Sequence, residues 1–467
     1  MTRVPEPSLQ PSGPIHRSLE IFLIAFSAFV FFFRLGNGSL ASWDESIYAA
    51  VARDMVKAHH WLTPTWMGQW HLHKPPFCLW MTAFCFQIFG INEFSVRIFS
   101  ALCGWGAVLV TYQIGSRLFH RWTGFLAGML LVTSRHFPHH VRYGTMDGPL
   151  VFFLSLAFLF FWLGRTRDRY LILSGIALGL AFFAKGLAAL LFIPIELIYC
   201  VWAGELSLFK RPAYWTGILF CVLIAMPWSV YAVLNSPAVY ANDLNVQVLQ
   251  RILEPIENHS ESWYFYFKVV ASKFRPWGFL AFIALPLVMV QALLGKKKEM
   301  IFLTVWIVSV FAAFTLIQTK LHWYVFPLYP ALSIGIAHGV SRIVKEKHVF
   351  FAAAVMLFTM TYHAHRHFFR FDYSRDLKAI SPSVKQIVPE GKTLWMYHSG
   401  EYPACIFYTE RSCQPVWNEP ALMAAVKQTD FYCLMDPKDL NRLNPELKNL
   451  HIAVRASEGR WLLLSKD

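Results

Sequence analysis

The chain has 467 residues, 56% of them hydrophobic and 17% aromatic, and only 15% charged. A soluble domain carries about a quarter charged residues, and apolar runs of roughly 17–25 residues, long enough to cross about 30 Å of hydrocarbon, recur throughout, which excludes a water-soluble globular protein. The formal charge of +14 does not mark a nucleic-acid binder, because the lysines and arginines sit in short clusters between the apolar runs, as the positive-inside bias predicts.

Residues 1–18 read as a Pro-rich cytoplasmic tail, with Arg3, His16 and Arg17 ahead of the first apolar run. No small-residue cleavage site follows that run, so 21–35 is predicted as a retained helix and not as a signal peptide. The polar outer loop 36–93 holds an amphipathic helix over 47–57, expected in the plane of the interface, and an apolar run at 77–89 that is too short to span. Further spans are predicted at 94–116, 122–137, 149–163, 170–203 (two helices broken near Lys185–Gly186), 214–233, 277–294, 300–317, 323–340 and 348–362. The count is about eleven, and 19–363 forms one transmembrane catalytic module.

Alternate loops then divide cleanly. One set carries Arg117 and Arg121, then Arg165, Arg167 and Arg169, then Lys210 and Arg211, then Lys296, Lys297 and Lys298, and last Arg342, Lys345 and Lys347. This places the N-terminus inside and the C-terminus outside. The opposite set carries Asp44, Glu45, Lys74, Asp147, Arg251, His259, Lys320 and His322, together with the helix end at Lys185. The reactive polar residues thus collect on one face.

The tail, 370–467, has short apolar runs at 393–397, 431–435, 452–455 and 461–464, separated by helix-like polar segments such as 375–387. That alternation predicts a small extracytoplasmic α/β domain. Its cysteines, Cys405, Cys413 and Cys433, allow at most one internal disulfide, and no CxxC pattern for a metal exists. Cys78, Cys85, Cys103, Cys200 and Cys221 read as small apolar side chains of helices.

Three segments could carry chemistry. In Ser42-Trp43-Asp44-Glu45-Ser46-Ile47-Tyr48, two carboxylates follow the first span, although any helix start favours acidic groups. In His71-Leu72-His73-Lys74-Pro75-Pro76, the prolines hold Lys74 extended; the plainer reading is a lysine meeting lipid headgroups. In Arg142-Tyr143-Gly144-Thr145-Met146-Asp147-Gly148-Pro149, Asp147 opens a span, where an ionisable group is costly unless it is paired or functional. His71, His73, His139, His140 and His259 also face outward, and of these His73 and His259 are the candidate ligands for a divalent ion.

Together with Phe183-Ala184-Lys185-Gly186 and Thr319-Lys320-Leu321-His322-Trp323-Tyr324, these segments resemble glycosyltransferase family 39/83. That group includes the protein O-mannosyltransferases and the lipid A aminoarabinose transferases and has the GT-C membrane fold. The resemblance spans roughly 35–340. It implies an enzyme that moves a sugar from a polyprenyl-phosphate donor to a lipid, glycan or protein acceptor at the outer face of a bacterial inner membrane. It also implies that Asp44 is the catalytic carboxylate, with Glu45 beside it, and that Asp147 helps build the same site. Lys74 would bind the donor phosphate or pair with the acidic residues, and Arg251, Tyr324 and Lys185 would stabilise the departing phosphate. The sequence departs from the family pattern in two places. His73 stands where glutamate is usual before Lys-Pro-Pro, and the stretch Gln247–Ile252 keeps only its arginine, Arg251. No organic cofactor is implied. The rival expectation is a transporter or lipid flippase, which would place its polar groups near the bilayer midplane, often within inverted repeats.

Overall fold

The structure is a computed structural model that describes residues 14–71, 74–256, 260–345, 348, 354–358, 372–428, 430–443 and 452–466. The chain divides into two compact units. One comprises Met1–Leu35, Leu72–Cys78 and Ile98–Phe369, the other Gly36–His71, Leu79–Arg97 and Arg370–Asp467.

The first unit is helical. Among the described residues six helices are long and apolar enough to cross a membrane: Glu93–Leu118, which begins in the other unit, Asp147–Gly164, Asp168–Trp202, Pro212–Asn235, Gly278–Gly295 and Lys298–Leu316. Each matches a predicted apolar run, and the 170–203 run breaks where expected. Helix Asp168–Lys185 stops at Gly186, a 3-10 turn covers Gly186–Leu191, and a helix resumes over Phe192–Trp202. Three further helices, Pro14–Phe32, Arg121–Thr133 and Tyr329–Ile343, overlap the predicted first, third and tenth spans. The tenth begins late because a 3-10 segment containing Pro327, His322–Leu328, occupies its start. The predicted span at 348–362 lies largely outside the described residues.

Helices here approach through small residues, as membrane bundles require. A Cβ placed on Gly175 would lie 2.0 Å from the Gly217 carbonyl oxygen, so Asp168–Lys185 and Pro212–Asn235 pack backbone to backbone. Arg142, fully buried, donates 2.6 Å hydrogen bonds to the carbonyls of Val30 and Phe33. It thus caps the C-terminal end of the first helix, whose last carbonyls have no partner within the helix. Two loops of the basic set meet at Glu205, which accepts from Arg165 Nη2 at 3.0 Å and Lys298 Nζ at 2.6 Å.

The second unit gathers the tail, the loop 36–71 and the helical stretch 79–97. Its sheet has the order β4-β3-β5-β7-β6, where β3 is Thr393–Tyr397, β4 Ser412–Val416, β5 Tyr432–Met435, β6 Ile452–Glu458 and β7 Trp461–Lys466. The minor strands β1, Thr65–Trp66, and β2, Gln69–Trp70, form a hairpin elsewhere in the unit. β3 runs parallel to both β4 and β5, while β7 is antiparallel to β5 and β6. The sequence reading missed β4, whose Ser412, Gln414 and Pro415 break any apolar pattern. It lies at the sheet's edge, where proline is tolerated.

Helix Asp44–Ala58 buries Ala49, Ala50, Val51, Ala52 and Met55, packing in one core with Cys405, Ile406, Leu434 and Leu463 of the tail. The apolar side that the sequence suggested for a lipid interface therefore faces protein. Arg53 fixes the contact, donating at 2.9 Å to the carbonyls of both Ile406 and Phe407 at the end of helix Tyr402–Thr409. Cys405 and Cys413 lie side by side as free thiols in this core.

Candidate functional site

The first unit holds a cavity of about 430 Å³ whose lining includes Lys74, Asp147, Lys185, Arg251 and Tyr324. Five of the sequence-predicted residues thus converge, drawn from segments far apart in the chain. Asp147 is the first residue of helix Asp147–Gly164 and Lys185 the last of Asp168–Lys185. Each charge sits at the helix end whose dipole favours it. The two side chains form an ion pair in which both are nearly buried. Gly186 ends the lysine's helix at φ 65°, a conformation glycine adopts without the Cβ penalty.

The other Asp147 oxygen, Oδ2, lies 3.2 Å from His140 Nε2. The His140 ring stacks on Trp323 at 5.6 Å. Behind it, His136 hydrogen-bonds His322 at 2.9 Å and the Tyr329 hydroxyl at 2.7 Å. In the sequence, His140 reads only as an outward histidine. Its pairing with Asp147 crosses an irregular turn and leaves no periodic signal.

Also in the lining, the Arg251 Nη1 donates to the Tyr324 hydroxyl at 3.4 Å, and Lys185 Nζ lies 5.9 Å from the centroid of the Tyr324 ring. Arg251 is held by backbone pairing, since the Thr319 amide donates to its carbonyl at 3.1 Å. Lys74 is half-buried beside Pro75. Asp243, Tyr240 and Trp228 also line the space, from a segment that the sequence reading did not single out. The remaining walls are largely Leu, Phe, Ile and Pro side chains. A cavity lined by three cations against two carboxylates, with two phenols and otherwise mostly hydrocarbon, is net positive and suits an amphiphilic anion.

Asp44 and Glu45 belong to the second unit and behave differently from each other. Glu45 is buried, and its Oε1 accepts from Arg97 Nε at 2.7 Å while Oε2 accepts from the Ala41 amide at 2.7 Å. Arg97 in turn donates to the carbonyls of Asn37 and Ser39. Glu45 and Arg97 therefore shape the loop that presents Asp44. Asp44 itself is exposed and makes no hydrogen bond or ion pair among the described residues. Trp43, just before it, has φ 70° and ψ −128°, a strained conformation for a bulky side chain, of a kind that clusters at functional sites.

His73 and His259, the candidate metal ligands, lie outside the described residues. Among the described residues no group of three or more His, Cys, Asp or Glu side chains is arranged to hold a metal ion.

The helical unit and this cavity define a membrane protein of the GT-C fold. The structure superposes on that of ArnT from Cupriavidus metallidurans bound to undecaprenyl phosphate with a TM-score of 0.77, at 18% identity, covering 95% of this chain and 97% of that one. Residues 73–231 match the dolichyl-phosphate-mannose-protein mannosyltransferase family. The chain is 28% identical over 326 residues to undecaprenyl phosphate-alpha-4-amino-4-deoxy-L-arabinose arabinosyl transferase 2 of Pseudomonas fluorescens, covering 68% of this chain and 55% of that protein. It is 30% identical over 311 residues to an uncharacterized protein of Aquifex aeolicus, covering 65% of this chain and 60% of that one. The chain thus spans less than two thirds of the length of these two relatives. Its fold is that of the ArnT structure, and in sequence it is similar to the protein mannosyltransferases and the aminoarabinose transferases.

Proposed function

We propose that the protein is an integral-membrane glycosyltransferase that moves a sugar from a polyprenyl-phosphate carrier to a lipid, glycan or protein acceptor, with inversion. The cavity carries this reading, because Lys74, Lys185, Arg251 and Tyr324 line the same hydrocarbon-walled space. Breaking a sugar–phosphate bond leaves negative charge on the polyprenyl phosphate. Fixed cations and a phenolic hydroxyl, partly shielded from water, stabilise that charge as it develops. Lys74, Arg251 and Tyr324 would hold the phosphate, with the apolar walls taking the first carrier units. Asp147, anchored between Lys185 and His140, would position Lys185 and keep the cavity's charge from becoming excessive.

The acceptor attacks the anomeric carbon from the face opposite the phosphate. If it is a hydroxyl, Asp44 takes its proton; if it is an ionised phosphate, Asp44 orients it. The exposed carboxylate, unpaired among the described residues and on a strained turn, supports either role. Glu45, engaged by Arg97, would support Asp44 through the shape of the loop.

In this reading the chain makes about eleven crossings of a bacterial inner membrane, with the N-terminus cytoplasmic and the tail outside. The meeting of two basic loops at Glu205 supports the sidedness. Any divalent ion on His73 and His259 is part of the same proposal.

The test uses the purified protein in lipid nanodiscs. Radiolabelled undecaprenyl phosphate should bind, and Lys74→Ala and Arg251→Ala should each weaken it at least tenfold. Mass spectrometry of glycolipids and glycoproteins from cells with and without the gene should then identify the acceptor. Full undecaprenyl-phosphate affinity in both variants would rule the reading out.

A further inference from the structure

The carboxyl ends of the parallel strands in the second unit carry a feature that the donor chemistry does not use. β3 is followed by His398, Ser399, Gly400 and Glu401, and β4 by Trp417. In open α/β sheets, ligands bind outside the carboxyl ends of the strands. β3 and β4 are neighbouring parallel strands, so their carboxyl ends share one edge of the sheet.

Trp43 is brought to this edge. Ser42 Oγ donates to the Gly400 carbonyl at 3.4 Å, and the Trp43 ring meets Tyr402 edge-on at 5.6 Å. A Cβ built on Gly400 would lie 3.8 Å from Trp43 Cζ2 and 3.9 Å from Trp417 Cη2. The two indoles therefore come together over a glycine that leaves the space between them open. Both are unusually bare for tryptophan, at 54% and 55% exposure. The backbone is forced to make the arrangement, with positive φ at Trp43 and at His398. His398 is locked there by hydrogen bonds from its amide to the Val416 carbonyl at 2.8 Å and from its ring to the Trp417 carbonyl at 2.7 Å. Polar groups flank the rings: the exposed carboxylate of Asp44 follows Trp43 directly, and Glu401, next to Gly400, pairs with Arg460.

We propose that Trp43, Gly400 and Trp417 form a carbohydrate subsite that stacks a pyranose ring of the acceptor beside Asp44. A hexose presents an apolar C–H face that suits an indole and a rim of hydroxyls that suits carboxylates. Lipid tails would use the indoles but make no use of the exposed Asp44 carboxylate beside them. The subsite rests on the glycosyltransferase reading for its place in the reaction, though not for its ability to bind sugar.

The experiment uses the full chain in nanodiscs, with methyl β-D-glucopyranoside and its 2-amino analogue as probes, followed by saturation-transfer NMR. Wild type should transfer saturation to the axial ring protons at millimolar probe. Trp417→Ala, and Gly400→Leu, which fills the gap, should each weaken binding about fivefold or more, the scale of one aromatic contact. Trp417→Phe should retain it, which separates ring loss from unfolding. No saturation in wild type, or unchanged binding in Trp417→Ala, overturns the proposal. So does strong quenching of Trp43 and Trp417 fluorescence by lipids brominated on their acyl chains, which would make the pair a membrane anchor. If glycosides bind as expected but undecaprenyl phosphate does not, the subsite stands and the glycosyltransferase reading fails; the reverse pattern fails the subsite alone.

Discussion

Lys185 and Asp147 close an ion pair in the cavity wall, with His140 on the second carboxylate oxygen. Each sits at the helix end that favours its charge, and each is almost fully shielded from solvent. Such a pair adds little stability compared with apolar residues, yet removing one member strands a buried charge at a cost of about 3–5 kcal/mol.

Lys185→Ala should therefore lower the thermal midpoint in detergent clearly, and Asp147→Ala should do the same. The double replacement Lys185→Met with Asp147→Leu should recover most of the lost midpoint while sugar transfer stays at least about 100-fold down. Nanodifferential scanning fluorimetry and a transfer assay on the same preparations measure both. Recovered transfer in the double variant would show that the pair serves packing alone.

Asp44 and Glu45 are adjacent in sequence and should respond in opposite ways. Asp44→Asn should keep the wild-type midpoint, because its carboxylate is exposed and makes no partner among the described residues, and should reduce transfer about 100-fold or more. Glu45→Gln leaves Arg97 buried without its counter-charge, which should cost about 3 kcal/mol and appear as lost expression and a lowered midpoint. A stable, inactive Glu45→Gln would make Glu45 the catalytic group instead.

Much of this was legible in the sequence, because a bilayer constrains the chain strongly. All six long apolar helices, the break at Lys185–Gly186 and helix Arg375–Ile387 follow from apolar length, glycine placement and helical spacing. Loop sidedness put Lys74, Asp147, Lys185 and Arg251 on one face and the family resemblance added Tyr324; all five line one cavity. Three features did not. β4 is an edge strand without alternation. The role of Glu45 depends on Arg97, a buried arginine inside an apolar helix. The burial of helix Asp44–Ala58 against the tail depends on a partner more than 300 residues away, and an amphipathic helix looks the same whether its apolar side meets lipid or protein.

Tyr324 and Arg251 offer a graded test of the phosphate site. Tyr324→Phe removes one hydroxyl, which accepts a hydrogen bond from Arg251, and should raise the donor KM about three- to tenfold. Arg251→Ala removes a charge as well and should cost more, about 30-fold or greater. Tyr324→Phe in an Arg251→Ala background should add little, because the pair acts together. Additive losses in that cycle, read from kcat/KM for the donor, would separate the two residues.

Glu410 supplies a pH signature in the second unit. Burial alone would raise its carboxyl, but hydrogen bonds from Lys385, at 2.6 Å, and from Lys57 outweigh that and hold it at about 2 against an ordinary 4.5. A carboxyl depressed by folding adds stability that is complete above the unfolded value and fades as pH falls from about 4.5 towards 2. Both lysines are about half exposed, so solvent screening limits the gain to under about 1 kcal/mol. Glu410→Gln should thus lower the thermal midpoint by about 1–2 °C at pH 6, by progressively less below pH 4.5, and by nothing near pH 2. Raising salt to 1 M at pH 6 should shrink the same difference. A difference that stays constant from pH 6 to pH 3 would mean that Glu410 acts through packing and not through its charge.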